Sequence, residues 1–371
     1  MADMLESSLL RHGFSVETVA GVEGRMDRER KERGIDAVSR LANVSKATVS
    51  KAMNNCGSME QGVKNAVLEA ARKLQYEPAR KERLRRAEAV IGVVMPAKPK
   101  YFWGEVIRGV RAADREAGDV GMVLSLFSDL SSERDALYCM DYMEDLRPDM
   151  LIVVPPPFFS VQERLRGLTE KLPVVSLVET GAFPELFYVG ANYYKDGMRL
   201  ARAGAGAVRR GPGIVHVHGL DMPMARTRDE SFRRELGSLV PEARWLGSVD
   251  MGLLASTVAA AQLARTLSER FGSAFGTVYV SQGDVPQVCL ALQKMRRLSS
   301  VAVLGYENPE KNAAYLENGT IAALVEQDAY RQGYLCMRAA LDYWRTGALP
   351  ENRRLFVPSA LVTGSRPGRE G

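Results

Sequence analysis

The chain has 371 residues, 50 Lys plus Arg against 45 Asp plus Glu, and a formal net charge of +5. That length is more than one core needs. No stretch is long and apolar enough to span a membrane, and the start lacks the apolar run of a secretion signal, so a cytoplasmic protein with no membrane partner is expected.

Residues 1–33 combine the mildly apolar SLLRHGFSVETVAGVEG with the charge run MDRERKERG, and a mobile N-terminal extension is expected there. Residues 35–55, IDAVSRLANVSKATVSKAMNN, predict two short helices joined by a tight turn. Ile35, Val38, Leu41 and Ala42 recur at helical spacing, Asn43 suits a left-handed turn, and Ser45 can cap the second helix. There Val49, Ala52 and Met53 face inward. Lys46, Ala47, Ser50 and Lys51 face outward, small or basic residues able to approach base edges and phosphates. A surface helical hairpin could show the same pattern. Two further features favour DNA. MEQGVKNAVLEAARKLQYEP supplies Val63, Val67, Leu68, Ala71 and Leu74, the stripe of a third helix that closes a small core. From Gly34 to Val90 there are 11 Lys plus Arg against 6 Asp plus Glu, while the rest balances at 39 each, so the whole positive excess lies in this segment.

VSKATVSKAMNN, its spacing to VLEAARKLQYEP, and the strand-like VIGVVMP from Val90 together resemble the LacI family of bacterial transcription regulators. The resemblance runs from about Ile35 to Leu361. It implies a helix-turn-helix DNA-binding domain over 34–78, a hinge over 79–89, a two-lobed effector-binding and dimerisation domain over 90–362 and a flexible tail over 363–371. Members of the family begin only a few residues before the first helix, so translation from Met26 is an expectation. The family positions for DNA contact correspond to Ser45, Lys46, Ala47, Thr48, Ser50, Lys51 and Asn54. Lys51 stands where Arg is frequent and cannot make the bidentate fork on guanine.

In YEPARKERLRRAEAV the basic residues include Arg80 and Arg83. The family hinge orders on operator DNA and wedges a Leu into the minor groove. Leu84 is the large apolar residue available, but the stretch from Pro78 to Ile91 is about two residues short and Leu84 falls one position early. A one-residue shift turns a helical side chain by about 100°. Two readings stay open: a wedge like the family's, or a hinge that mainly adds electrostatic affinity.

The remainder alternates strand-like and helix-like segments: AVIGVVMPA, YFWGEVIRGVRAADREAG, VGMVLSLFS and onward to VAVLGYE. This is the pattern of an α/β protein with parallel sheets, and two such Rossmann-like lobes enclose a cleft at the strand ends. The resemblance implies the fold of periplasmic binding proteins, type I. RDESF at Arg228–Phe232 matches the family's R-x-x-G-F element, with Ser231 in place of Gly; the Arg there forks onto the effector. An ion pair with Asp229 or Glu235 is the competing role for Arg228. Phe102 and Trp103, beside Tyr101, follow the first strand where an aromatic stacks on the ligand or packs into the lobe. Other positions depart from the family. Val178 replaces an Asp and leaves Glu179 one place later, Gly283 replaces an Asn before Asp284, and Glu307 replaces an Asp. Asp284 can alternatively cap the following helix.

Cys56, Cys139, Cys289 and Cys336 are scattered, without metal-ligand spacing, and read as free thiols. His216 and His218 share a strand face but have no carboxylate or Cys beside them, so no metal and no cofactor are expected. A P-loop, a nucleophile elbow and a zinc set are all missing, which argues against an enzyme. The expectation is a homodimeric regulator, a repressor, that binds a near-palindromic double-stranded DNA operator under control of a small effector, a sugar or related metabolite. The competing reading is a small-molecule receptor of the same fold with weak or lost specific DNA binding. No leucine heptad follows the body, so a dimer is expected.

Overall fold

The computed structural model describes residues 34–53, 59–74, 88–118, 120–251, 256–307 and 310–364. Asn54, Cys56, Arg80, Arg83 and Leu84 lie outside the described residues, as do the N-terminal extension and most of the hinge and tail. The chain divides after Ala87 into two compact units.

In the first unit, α1 (Ile35–Leu41), α2 (Lys46–Met53) and α3 (Gln61–Lys73) surround a small core. Val38, Val49, Ala52, Val67, Ala70 and Ala71 are buried in it. On α3 the inward set is 67, 70, 71 and 74, the i, i+3, i+4, i+7 stripe of a helix resting on two others. Ala70 therefore takes the place expected for Val63 and Leu68. Leu41 is 52% exposed because Ala37 and Val38 already fill the inward face of a seven-residue helix. Burying a valine such as Val38 or Val67 contributes roughly 1.5–3 kcal/mol, which is substantial for so small a core. Asn43 has φ 52°. The Ser45 hydroxyl accepts a hydrogen bond from the Thr48 amide at 3.0 Å. The turn and the cap thus fix the angle between α1 and α2.

In the second unit, lobe one holds β1 (Ala89–Pro96), α4 (Lys100–Ala117), β2 (Val120–Phe127), α5 (Glu133–Leu146), β3 (Met150–Val153), α6 (Phe159–Thr169), β4 (Val174–Leu177) and β5 (Tyr188–Ala191). Lobe two follows with α7 (Tyr193–Arg210), β6 (Gly213–His218), α8 (Pro223–Leu239), β7 (Arg244–Asp250), α9 (Ser256–Phe271), β8 (Thr277–Val280), α10 (Val285–Lys294), β9 (Ala302–Tyr306), α11 (Ala313–Glu317) and β10 (Ile321–Gln327). The chain then returns to lobe one as α12 (Ala329–Thr346) and β11 (Arg354–Val357), and crosses last into β12 (Ser359–Thr363) of lobe two. Three crossings therefore join the lobes.

The sheets are ordered β11-β5-β4-β3-β1-β2 and β12-β10-β9-β8-β6-β7, all pairs parallel except β10 with β12. The central strands are buried along their length, as sheets covered by helices on both faces require. The two orders repeat one plan, so β4 and β9 occupy equivalent places. The residues just after them, Val178 and Glu307, both have positive φ, 65° and 66°. Left-handed backbone at a β-branched residue is strained, and such strain collects at binding sites.

Helix α12 is held to lobe one by close helix packing. A Cβ on Gly109 would lie 2.0 Å from the Tyr330 carbonyl oxygen, and one on Gly333 would lie 2.1 Å from that of Val106. Glycine is thus required at both positions for α4 and α12 to approach.

Candidate functional site

Two regions matter: the outer face of α2, and a cavity of about 410 Å³ between the lobes at the carboxyl ends of their strands.

On α2, Lys46, Ala47 and Lys51 are exposed and Thr48 and Ser50 are half-buried, so the residues expected to meet DNA share one accessible face. Ser45 is exposed, and its hydroxyl lies 2.8 Å from that of Thr48. Lys46 pairs with Asp36 at 2.5 Å, an exposed ion pair that phosphate can compete for at little cost.

All six residues expected at the ligand site line the cavity: Phe102, Trp103, Glu179, Arg228, Asp284 and Glu307. Phe102 and Trp103 meet edge to face at 4.9 Å, and both also pack into the core of lobe one. Both rings therefore line the cavity while packing into the lobe. Tyr101 reaches across the cleft, its hydroxyl donating to the Gly283 carbonyl at 3.1 Å. A Cβ on Gly283 would lie 2.3 Å from that hydroxyl oxygen, so this contact requires glycine there.

Glu179 is placed by the turn before it. The Val178 carbonyl accepts hydrogen bonds from Tyr188 at 2.9 Å and Tyr193 at 2.5 Å, which holds the left-handed turn. Glu179 is 2% exposed. Its carboxylate accepts from the amides of Thr180 at 2.9 Å and Met224 at 3.1 Å. Met224 belongs to the first turn of α8, so a carboxylate of lobe one sits at the amide-rich start of a lobe-two helix. Burial nevertheless raises its pKa to about 7, with the amides and nearby Arg228 and Arg226 opposing.

Arg228 is wholly buried and pairs with neither Asp229 nor Glu235, which bind Arg233 and Arg202 instead. Its Nη2 donates to Glu307 at 3.4 Å, while Nε and Nη1 have no hydrogen-bond partner among the described residues. The guanidinium lies 3.9 Å over the Tyr306 ring and 4.9 Å from that of Tyr193. Buried donors without acceptors are costly, and a guanidinium fork with free positions suits an oxygen-bearing ligand. Glu307 also accepts from Gln327 at 2.5 Å, and Gln327 accepts from Gln332 at 3.1 Å. Gln327 ends β10 and Gln332 lies on α12, so this buried chain runs from the cavity through one crossing into lobe one. Burial raises the pKa of Glu307, with Arg228 opposing. Asp284 precedes α10 but makes no side-chain cap.

Ser231, standing where the family has Gly, fits because Gly197 faces it: a Cβ there would lie 2.0 Å from the Ser231 hydroxyl. Sequence reasoning missed Gln282, Met222 and Met224 of the cavity wall, and Gln327. Only Gln327 left a trace, as a polar residue closing an apolar strand. A second cavity of about 660 Å³ shares Tyr101, Phe102, Glu307 and Gln327 and is lined by the second and third crossings. His216 is held neutral by burial, with Arg233 and His218 adding to the effect, and its pKa falls to about 3. Its ring lies 3.0 Å from the Ser281 hydroxyl and 3.2 Å from Arg233. Among the described residues no cluster of three or more His, Cys, Asp or Glu is placed to hold a metal.

Residues 34–79 match the model of bacterial regulatory proteins, lacI family, and residues 91–348 match that of the periplasmic binding protein domain. The HTH-type transcriptional regulators RegA of Clostridium acetobutylicum and Clostridium saccharobutylicum are 31% and 30% identical over 161 and 150 residues. Those matches cover 41% and 39% of this chain but only 46% and 43% of the relatives, so the chain spans less than half the length of the curated relatives it matches. Among solved structures, GanP, a glucose-galactose binding protein from Geobacillus stearothermophilus, superposes with TM-score 0.66 at 20% identity, covering 74% of this chain and 98% of its own. A putative LacI transcriptional regulator from Bacteroides fragilis gives 0.63 at 18%, covering 74% and 96%. These likenesses show the fold.

Proposed function

The chain belongs to the lacI family of bacterial regulatory proteins, with a periplasmic binding protein domain as its body, and we propose accordingly that it is a DNA-binding transcriptional regulator controlled by a small molecule. In this reading residues 34–78 read DNA, 79–89 form the hinge, and 90–362 bind the effector and a second copy of the chain. Two heads then address a near-palindromic operator, and the protein acts as a repressor.

The observation that carries the reading is the pairing, in one chain, of a basic three-helix unit with a two-lobed body whose cleft is lined by charged and aromatic side chains. The head presents Lys46, Ala47 and Lys51 on one face. The cleft holds a buried guanidinium with two unpartnered nitrogens. A cavity of about 410 Å³ with aromatic and carboxylate walls suits a sugar or related metabolite. Ligand binding there controls operator affinity to the extent that the ligand prefers one lobe arrangement. No catalytic role is assigned to the cleft.

The test is selection of genomic fragments by the purified protein at near-physiological salt, followed by sequencing of the bound DNA. The expected result is one near-palindromic motif. Recovery of only sequence-independent, salt-sensitive DNA would overturn the specific-regulator reading and favour a receptor.

A further inference from the structure

The charges lining the cleft are unevenly matched. Asp129, Glu179, Asp284 and Glu307 face two cations, Lys98 and Arg228. Lys98 is exposed at the rim, and the charge of Arg228 is met by Glu307. Asp129 accepts hydrogen bonds from Ser131, and Glu179 from two backbone amides. Asp284 is different. Its carboxylate caps no helix, and among the described residues it has no hydrogen bond or ion pair. Gly219 borders it: a Cβ there would lie 2.4 Å from Gln282 Oε1 and 3.4 Å from Asp284 Oδ2, so the Gln282 amide oxygen, a second acceptor, lies beside the carboxylate.

Arg228 supplies the independent constraint. Its Nε and Nη1 are fully buried in the cavity wall and need an acceptor. A phosphate or carboxylate would satisfy them but would bring another negative charge among carboxylates, three of which, Glu179, Asp284 and Glu307, are already poorly solvated. A hydroxyl satisfies them without that penalty. The carboxylate of Asp284 asks for the opposite partner, a donor that carries positive charge.

We propose that the cleft selects a small organic cation, a protonated amine on a hydroxyl-bearing skeleton, with the ammonium against Asp284 and a hydroxyl against the free donors of Arg228. This rests on the reading of the cleft as the ligand site. The upward shift that burial imposes on the Asp284 carboxyl agrees with a group whose counter-charge arrives with the ligand.

The test works on a mixture. A deproteinised small-molecule extract of the cells that carry the gene is divided into cation-exchange-bound, anion-exchange-bound and unretained fractions, and each is added to the full chain in a thermal-shift assay. The expected result is stabilisation by the cation-exchange fraction. Acetylation of that fraction, which removes amine charge, abolishes the shift, and Asp284→Asn raises the amount needed for half effect about tenfold or more. Asp284→Asn should melt within a few degrees of the wild type without extract, showing that it folds. Stabilisation by the unretained or anion-exchange fraction instead would overturn the charge assignment and leave the ligand site standing. Stabilisation by no fraction would remove the ligand-site reading and this inference with it.

Discussion

The phenol of Tyr101, on the first helix of lobe one, donates to the backbone carbonyl of Gly283 in lobe two, 3.1 Å away. The contact exists because Gly283 has no Cβ. Together with Glu179 at the start of α8, it clasps the cleft from both sides.

Tyr101→Phe removes the hydrogen bond, and Gly283→Ala displaces the ring that makes it. Each is expected to cost about 1 kcal/mol, the net worth of one such bond. The double variant should cost little more than either, because both changes remove the same contact. Urea unfolding of the three proteins measures this, and additive losses would show that the two residues act separately.

Arg228 and Glu307 form the deepest charge pair of the cleft. Arg228→Met leaves a buried carboxylate without its cation and is expected to cost about 3–5 kcal/mol. Adding Glu307→Gln should recover much of that loss, since the uncompensated charge is gone. A double variant as unstable as Arg228→Met alone would mean that packing over Tyr306, not charge, sets the cost.

Glu179 and His216 oppose each other in acid. The folded Glu179 pKa of about 7 lies above its ordinary 4.5, so its contribution is full below pH 4.5 and is lost as pH rises towards 7. The folded His216 pKa of about 3 lies below its ordinary 6.5, so its contribution is full above pH 6.5 and is lost as pH falls. Between pH 4.5 and 6.5 the two slopes, each at most about 1.4 kcal/mol per pH unit, largely cancel. Relative to the wild type, Glu179→Gln should therefore tilt stability upward with pH across that window, and His216→Gln should tilt it downward. Unfolding midpoints at three pH values decide; parallel profiles for all three proteins would contradict the assignment.

Lys51 is exposed on the face of α2 proposed to meet DNA. Lys51→Ala is expected to cost about 1–3 kcal/mol at the cognate site and to relax sequence preference there. Equal binding of both proteins to specific and scrambled fragments would remove Lys51 from the reading set.

Much of this molecule is legible in its sequence because its strongest signals are local. The head shows three helical stripes, a turn at Asn43 and a cap at Ser45, each set within a few residues. The central strands are apolar runs that cannot be mistaken for surface. What escapes is set by distant partners. Strands β5, β11 and β12 are short, β7 is only partly buried, and the return of α12 to lobe one is a matter of topology, not pattern. The departures at Val178 and Gly283 have their physical reasons far away in the chain: two tyrosines hold the Val178 turn, and Tyr101 fills the space beside Gly283. Glu179 could be named from the sequence, but the direction it faces depends on a left-handed backbone that residue type alone argues against.

A ligand-controlled regulator requires that occupancy of the cleft change how the head holds DNA. The deciding measurement is the affinity of the selected genomic fragment, by fluorescence anisotropy, with and without the small-molecule extract, for the wild type and for Arg228→Lys. The lysine variant keeps a charge beside Glu307 but loses the guanidinium fork. A change of at least about fivefold in the wild type, absent or much reduced in the variant, is the expected result. Equal affinity of the wild type with and without an extract that stabilises it would refute ligand control, because the cleft would then bind a ligand without acting on DNA.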